Sequence, residues 1–374
     1  MKRLLLAGGG HAHMAVLRAL ARERIGDVEV TLVAPTPRWV YSAMLPGWIA
    51  GHYNVEQLLI GLAPLAARAG SNFVLAHVAR IDLAERVVYT ENSRPLPFDA
   101  LSLDTGPVFN GNAVPGLGEH AIAPWPAESF LLQWQRLHAR LATEAMQTGE
   151  TLTVSVLGGG AAGVEISLAI AYRTKLSRMA ARVQLVTGHD GVLPAFDLSV
   201  RRRAQQQLID ASVRVLIDNA AEVNRHTIML DQGGELGTHA TIAFLPTMAA
   251  EWPRESGLAV DEQGFVAVNA HLQSLSHPFV FAAGDCASIS GAPRPKSGVY
   301  AVRAGATLAA NLRLFLRNQG LRRHAPPKRA LYLLSTGAQY AIGSWGSLAF
   351  EGAWAWRWKD RIDRKFVARH RPRV

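Results

Sequence analysis

Cysteine is almost absent: Cys286 is the only one in 374 residues. No intramolecular disulfide can form, which excludes a disulfide-stapled secreted fold and a dithiol active site and fits a reducing cytoplasm. Cys286 itself reads as a small buried hydrophobe. Charge is also sparse, at 18%, while nearly half of the residues are hydrophobic and no segment is low in complexity. A disordered chain does not have that balance. No window approaches the roughly 18 consecutive apolar residues of a membrane-spanning helix, so the sequence predicts no bilayer crossing. Met1–Ala7 imitates a short signal peptide but runs directly into Gly8-Gly9-Gly10, and is read as a first strand. Acidic residues are in deficit, 29 against 39 Lys and Arg, for a formal charge of +10. Half of that excess sits in residues 351–374, with eight basic and three acidic side chains. A basic tail calls for an anionic partner, a membrane surface or a nucleic acid. No nucleic-acid-binding motif accompanies it, so the expectation is no nucleic acid. No His, Cys or carboxylate cluster has metal-ligand spacing, so no metal is expected.

The chain is long enough for two cores, since single cores stop growing at roughly 250–300 residues, and an internal repeat divides it. Leu4-Leu5-Leu6-Ala7-Gly8-Gly9-Gly10-His11-Ala12-His13 aligns without gaps on Val154-Ser155-Val156-Leu157-Gly158-Gly159-Gly160-Ala161-Ala162-Gly163. Each is an apolar run, a glycine triplet and a helix-forming stretch, the context a dinucleotide fingerprint requires. The first glycine makes the turn, the second admits a pyrophosphate, and the third lets helix and strand pack closely. The helix N-terminus offers amide groups and partial positive charge to the phosphates. Gly158-x-Gly160-x-x-Gly163 is complete; Gly8-x-Gly10-x-x-His13 lacks the third glycine, so its helix should stand further from its strand. His11 and His13 could reach phosphates through ring N–H groups, but His13 reads better as a packing substitute for glycine. Second strands follow at Val28–Val33 and Arg182–Val186, yet the acid that usually holds the adenosine ribose is replaced by Ala34 and Thr187. Weak discrimination between NADH and NADPH is therefore expected. Two later strands end in Asp104-Thr105-Gly106 and Gly284-Asp285. A carboxylate at the latter position can accept hydrogen bonds from ribityl hydroxyls, which calls for FAD and not FMN.

These motifs, in this order over nearly the whole chain, resemble the two-dinucleotide-binding flavoproteins of the pyridine nucleotide–disulfide oxidoreductase superfamily. Gly284-Asp-Cys-Ala287 and Leu331 to Gly343 are similar to type II NADH dehydrogenases. Gly8-Gly-Gly-His-Ala-His13, Tyr41-Ser-Ala-Met-Leu-Pro-Gly47 and Trp356 to Asp363 resemble the flavoprotein associated with selenide, water dikinase. The resemblance implies an α/β fold of two Rossmann-like dinucleotide-binding domains. The FAD domain would be discontinuous (1–124 and 263–325), the NAD(P) domain inserted (125–262), and a C-terminal segment (326–374) would serve as an interface or membrane-surface piece. It places Gly8, Gly10, His11, Ala12, His13, Ala34, Arg38, Pro46, Val78, Thr105, Gly106, Gly284, Asp285 and Gly298 along FAD. Gly158, Gly160, Gly163 and Thr187 would hold NAD(P)H.

FAD would carry the redox chemistry while the protein supplies position and electrostatics. Pro295-Lys296-Ser297-Gly298 opens an amphipathic run to Leu316 that reads as a helix, so Lys296 and the amides of Gly298 and Val299 are candidates for stabilising the reduced ring. A solvated lysine at a helix start is the plain alternative. Glu165 either complements its helix dipole or, as the resemblance implies, lines the nicotinamide side of the flavin. Three functions stay open: an NAD(P)H dehydrogenase with a small acceptor such as a quinone, a nicotinamide-independent oxidase of a sulfur or selenium compound, and a low-turnover flavin-bearing partner of selenide, water dikinase. A homodimer is a further candidate assembly. Trp354, Trp358, Ile362 and Phe366 recur every four residues among basic side chains. This pattern fits peripheral contact of 354–374 with the inner face of a membrane, and equally packing on the protein's own core.

Overall fold

The computed structural model describes residues 1–91 and 95–371. In chain order, β1 (Lys2–Ala7), α1 (His11–Arg22), β2 (Val28–Ala34), β3 (Asn72–Leu75) and β4 (Ala100–Leu103) begin the first nucleotide unit. The second unit contains β5 (Ala121–Ile122), α2 (Ala127–Thr148), β6 (Leu152–Leu157), α3 (Ala161–Leu176), β7 (Ala181–Val186), β8 (Arg214–Leu216) and β9 (Ala240–Ala243). The chain then returns with β10 (Val280–Ala282) and α4 (Gly298–Leu316). It ends in β11 (Leu331–Ser335), β12 (Ala341–Trp345), β13 (Leu348–Gly352) and α5 (Ala353–His370).

Both units centre on a five-stranded parallel sheet, in the orders β10-β4-β1-β2-β3 and β5-β9-β6-β7-β8. The glycine-bearing strands β1 and β6 occupy the same central place. Central parallel strands are covered on both faces, which is why Leu4-Leu5-Leu6-Ala7 is an unbroken apolar run and fully buried. Each sheet carries the same insertion, a three-stranded antiparallel meander, between β3 and β4 in the first unit and between β8 and β9 in the second. The units exchange edges: β5 joins the second sheet before that unit's own glycine strand, and β10 completes the first sheet after the second unit is finished. Where the two connecting segments pass, Val108 and Met248 exchange a pair of backbone hydrogen bonds of 2.9 and 3.0 Å.

α1 and α4 lie against each other through small residues. A side chain at Gly305 would press on Ala12 and Ala15, so the helices approach as closely as their backbones allow. β11, β12 and β13 form an antiparallel sheet, and α5 packs across it with Ala355, Trp356, Lys359, Asp363, Val367 and His370 turned inward. No helix among the described residues is long and apolar enough to cross a membrane.

Candidate dinucleotide and electron-transfer site

The two glycine turns start alike and then diverge. Gly8 and Gly158 have left-handed φ angles of 98° and 113°, and each lies against the end of its neighbouring strand, where a Cβ would overlap the backbone of Asp104 or Phe244. In the second unit Gly163 presses on the carbonyl of Gly158, as the close-packing role of a third glycine demands. Beside Gly160 there is open space. In the first unit His13 replaces that glycine and is fully buried. Its Nδ1–H donates to the Gly8 carbonyl at 2.7 Å, so Nε2 accepts from the Ser102 hydroxyl at 2.8 Å. Both nitrogens are committed, and burial holds its pKa down at about 4. The ring ties helix to strand, and its N–H is not free for a phosphate.

His11 stands at the start of α1, edge-on to Trp39 with ring centroids 4.6 Å apart and 3.0 Å from the position a Cβ of Gly298 would take. Burial and the neighbouring His370 lower its pKa to about 4. The first turn of α4 therefore meets the first turn of α1 at positions where glycine keeps the backbone accessible. Gly10 caps that turn of α1; Gly10 and Gly284, from a second segment, both leave room for the Asp104 carboxylate, and Gly106 stands in open space. Asp285 is half-buried there; burial raises its pKa to about 6 against the pull of Lys296. A cavity of about 530 Å³ opens alongside, lined by Gly284, Asp285, Lys296, Tyr300 and His324. The Lys296 ammonium donates to the Ala287 carbonyl and lies 3.8 Å over the Phe265 ring, so it is held in place and not freely solvated. A cradle of glycines from several segments, with a carboxylate for polyol hydroxyls, fits a flavin dinucleotide.

Of the other sequence candidates, Ala34 is buried at the end of β2 and its carbonyl accepts from the Ala76 amide, near Val78 at the start of the meander. Pro46 is buried in a short helix, Leu45–Ile49. Arg38 is exposed and ion-paired with Glu56 and Glu128, at 3.8 and 3.6 Å. Thr105 is exposed at the mouth of the first turn. Thr187 is buried, and its hydroxyl donates to the carbonyls of Gly188 and Leu216. Cys286 is buried, with its thiol pushed up to about 12 by burial, which keeps it protonated and inert.

A buried ionic cluster joins the two units to the C-terminal helix. Lys359 of α5 donates to Asp363 at 2.7 Å and to the Ala43 carbonyl at 2.6 Å. Tyr41 donates to the other oxygen of Asp363 at 3.1 Å. Glu165 of α3 accepts the Ser335 amide at 2.7 Å; burial pushes its pKa to about 7 against the pull of Lys359. Burial works against the Lys359 charge, but Asp363 and Glu165 outweigh it and hold its pKa above the ordinary value. Lys359 is therefore internal, not one of the surface cations that the tail composition suggests. Asp360 turns inward too, accepting from Tyr53 and pairing with Arg364, both at 2.8 Å. The outer face of α5 carries Trp354, Trp358 and Ile362, 48%, 42% and 42% exposed, with Phe350, Trp354 and Trp358 stacked in a ladder. Phe366 leaves that face and stacks on Tyr41 at 4.5 Å. Residues 372–374 of the tail lie outside the described residues.

Three residues escaped sequence reasoning: Asp104, Lys359 and Asp363. The signal for Asp104 was the alignment of Ala100–Asp104 with Ala240–Phe244, which sets a carboxylate opposite an aromatic residue. For the other two it was an i, i+4 Lys–Asp pair on the face opposite the tryptophans.

Comparison with known proteins bears on the whole arrangement. The family described as pyridine nucleotide-disulphide oxidoreductase matches residues 2–305. NADH dehydrogenase-like protein YutJ of Bacillus subtilis is 23% identical over 300 residues, covering 78% of this chain and 79% of its own. A type II NADH:quinone oxidoreductase of Staphylococcus epidermidis is 24% identical over 339 residues, covering 85% and 83%. The crystal structure of the sulfide:quinone oxidoreductase of Aquifex aeolicus superposes with a TM-score of 0.82 at 19% identity, over 99% of this chain and 92% of that one. Two dinucleotide-type parallel sheets with one inserted in the other are the shared fold.

Proposed function

We propose that this chain, which belongs to the pyridine nucleotide-disulphide oxidoreductase family, is an FAD-dependent oxidoreductase that passes electrons from NAD(P)H to a small acceptor, with a quinone as the favoured class. One observation carries the reading. The starts of α1 and α4, the 41–46 loop, Glu165 at the second glycine turn and Lys359 of α5 all converge on one junction between the two units. A donor site and a flavin site built on separate sheets need such a junction. The relatives named for NADH dehydrogenation and NADH:quinone oxidoreduction support it.

FAD, when bound, supplies the hydride and electron transfer. The first turn of α1, with Gly106 opening the space beside it, would take its diphosphate, Asp285 would accept from the ribityl hydroxyls, and the α4 N-terminus with Lys296 would face the end of the ring that gains charge. Gly160 and the first turn of α3 would take the diphosphate of NAD(P)H. Reduction of a quinone consumes two protons, and Glu165, Lys359, Asp363 and Tyr41 form a buried set of ionisable groups able to hold them near that junction. The outward aromatic face of α5, with Arg357, Arg361 and Lys365 on the same helix, supports peripheral docking on an anionic bilayer, the source of an apolar acceptor.

The purified protein is expected to be yellow and to release FAD. Anaerobic NADH and NADPH are both expected to bleach it rapidly, and a soluble quinone to restore the colour. Because the Thr187 hydroxyl donates to backbone carbonyls, it is not free to select a ribose. That observation favours a second reading, a nicotinamide-independent flavoprotein acting on a sulfur or selenium compound. Failure of both nicotinamides to bleach the flavin, with bleaching by sulfide or selenide, decides for the second reading.

A further inference from the structure

Asp104 and Phe244 are equivalent residues of the two units. The Asp104 amide donates to the Ala7 carbonyl at 2.9 Å and the Phe244 amide to Leu157 at 2.7 Å, each closing the glycine strand against its neighbour. At the second turn the space beside Gly160 is open. At the first, the Asp104 carboxylate fills the corresponding place. Gly10 has no side-chain cap of its own. Instead, Asp104 accepts the His13 amide at 2.8 Å and the Ala12 amide, while its carbonyl accepts from Gly10 at 3.1 Å. A Cβ at Gly10 or at Gly284 would overlap its oxygens. The residue is 2% exposed. An anion is thus built into the positive end of α1, at the point where a diphosphate must dock.

The groups facing that carboxylate do not neutralise it. From α1, the His13 ring is committed to Gly8 and Ser102. From the segment after β10, Asp285 adds charge of the same sign and Cys286 is a protonated thiol. Lys296, before α4, is held by the Ala287 carbonyl and lies nearer Asp285. Two negative charges of a diphosphate brought to the same helix end would face an ionised carboxylate in a low-dielectric setting, which is costly unless that carboxylate takes a proton.

We propose that Asp104 is a positioning residue for the diphosphate of the first nucleotide unit, and that dinucleotide binding there is coupled to uptake of one proton from solvent by its carboxyl group. In the neutral form the group keeps an oxygen for the α1 amides and gains an O–H that can donate. Burial, with Asp285 adding to it, already holds its pKa at about 7, so the proton is available near neutrality. The proposal rests on the reading that this unit holds FAD.

The test uses the full chain. FAD affinity is measured from pH 6 to pH 9 by flavin fluorescence, with proton uptake from calorimetry in two buffers of different ionisation enthalpy. The wild-type dissociation constant is expected to rise by roughly tenfold per pH unit above about pH 7, with close to one proton taken up. Asp104→Asn is expected to bind FAD with a flat pH profile and no proton uptake, and at least as tightly as wild type at pH 8. A flat wild-type profile with FAD bound overturns this proposal alone. No flavin binding at any pH overturns the reading of the first unit, and this proposal with it. The wild-type profile decides even if the variant misfolds.

Discussion

Single residues carry most of what is specific to this chain. Asp104 predicts a pH dependence of the ligand-free protein whose sign can be worked out. Its carboxyl is raised from 3.8 to about 7 on folding, so between those values the folded state binds more protons than the unfolded state. Stability therefore falls as pH rises from about 4 to about 7 and levels above. Thermal unfolding of Asp104→Asn is expected to show a gain in Tm over wild type that is larger at pH 8 than at pH 5. Lys359 predicts the opposite kind of effect. Lys359→Met leaves Asp363 and Glu165 without their cation in a buried site, and should cost about 3–5 kcal/mol. Adding Asp363→Leu should recover part of that loss in a double-mutant cycle read by denaturant unfolding. Gly10→Leu must displace the Asp104 carboxylate, so the purified protein is expected to be colourless or unstable. The glycines were legible because each role is stereochemical. Asp104 was legible only as a strand end, and Lys359 and Asp363 only as an i, i+4 pair, since what each carboxylate and the ammonium faces is decided by tertiary structure.

At the scale of elements, α5 separates two properties that its composition blends. A strict four-residue repeat drifts on a 3.6-residue helix, so Phe366 lies about 120° around from Trp354. That drift takes it off the exposed face and onto Tyr41. Asp360 and Asp363, which look like interruptions of the aromatic stripe, are the inward face. Removing the tail is consequently a poor test of membrane contact, because it also removes Lys359 from beneath the 41–46 loop. Trp354→Ser with Trp358→Ser leaves the inward face intact. This pair is expected to reduce co-sedimentation with anionic liposomes several-fold while flavin content stays unchanged; unchanged co-sedimentation would instead assign the exposed ladder to another partner. The apolar strands and the helices at 11, 161 and 298 were readable from periodicity and glycine turns. The return of β10 to the first sheet agrees with the discontinuous domain that the resemblance implies, whereas β5, expected within 1–124, joins the second sheet instead; a two-residue edge strand carries too few side chains to declare its sheet.

For the whole molecule, the repeat announced two nucleotide units. It could not announce how closely the meanders, the central strands and even the amides of Asp104 and Phe244 would correspond. What the correspondence hides is an asymmetry of order. The second unit is continuous from β5 to β9, whereas the first sheet lacks β10, Asp285 and the start of α4 until the second has been made. On the proposed reading, a chain emerging from the ribosome would complete its two nucleotide sites in reverse of their sequence order. The inserted unit is able to close on its own strands, while the N-terminal glycine turn waits with β4 unpaired on one side. Nascent chains stopped after β9 are expected to protect 121–243 from protease yet retain no flavin, and chains extending beyond Leu316 to retain it. The earliest-made motif is the last to become a site.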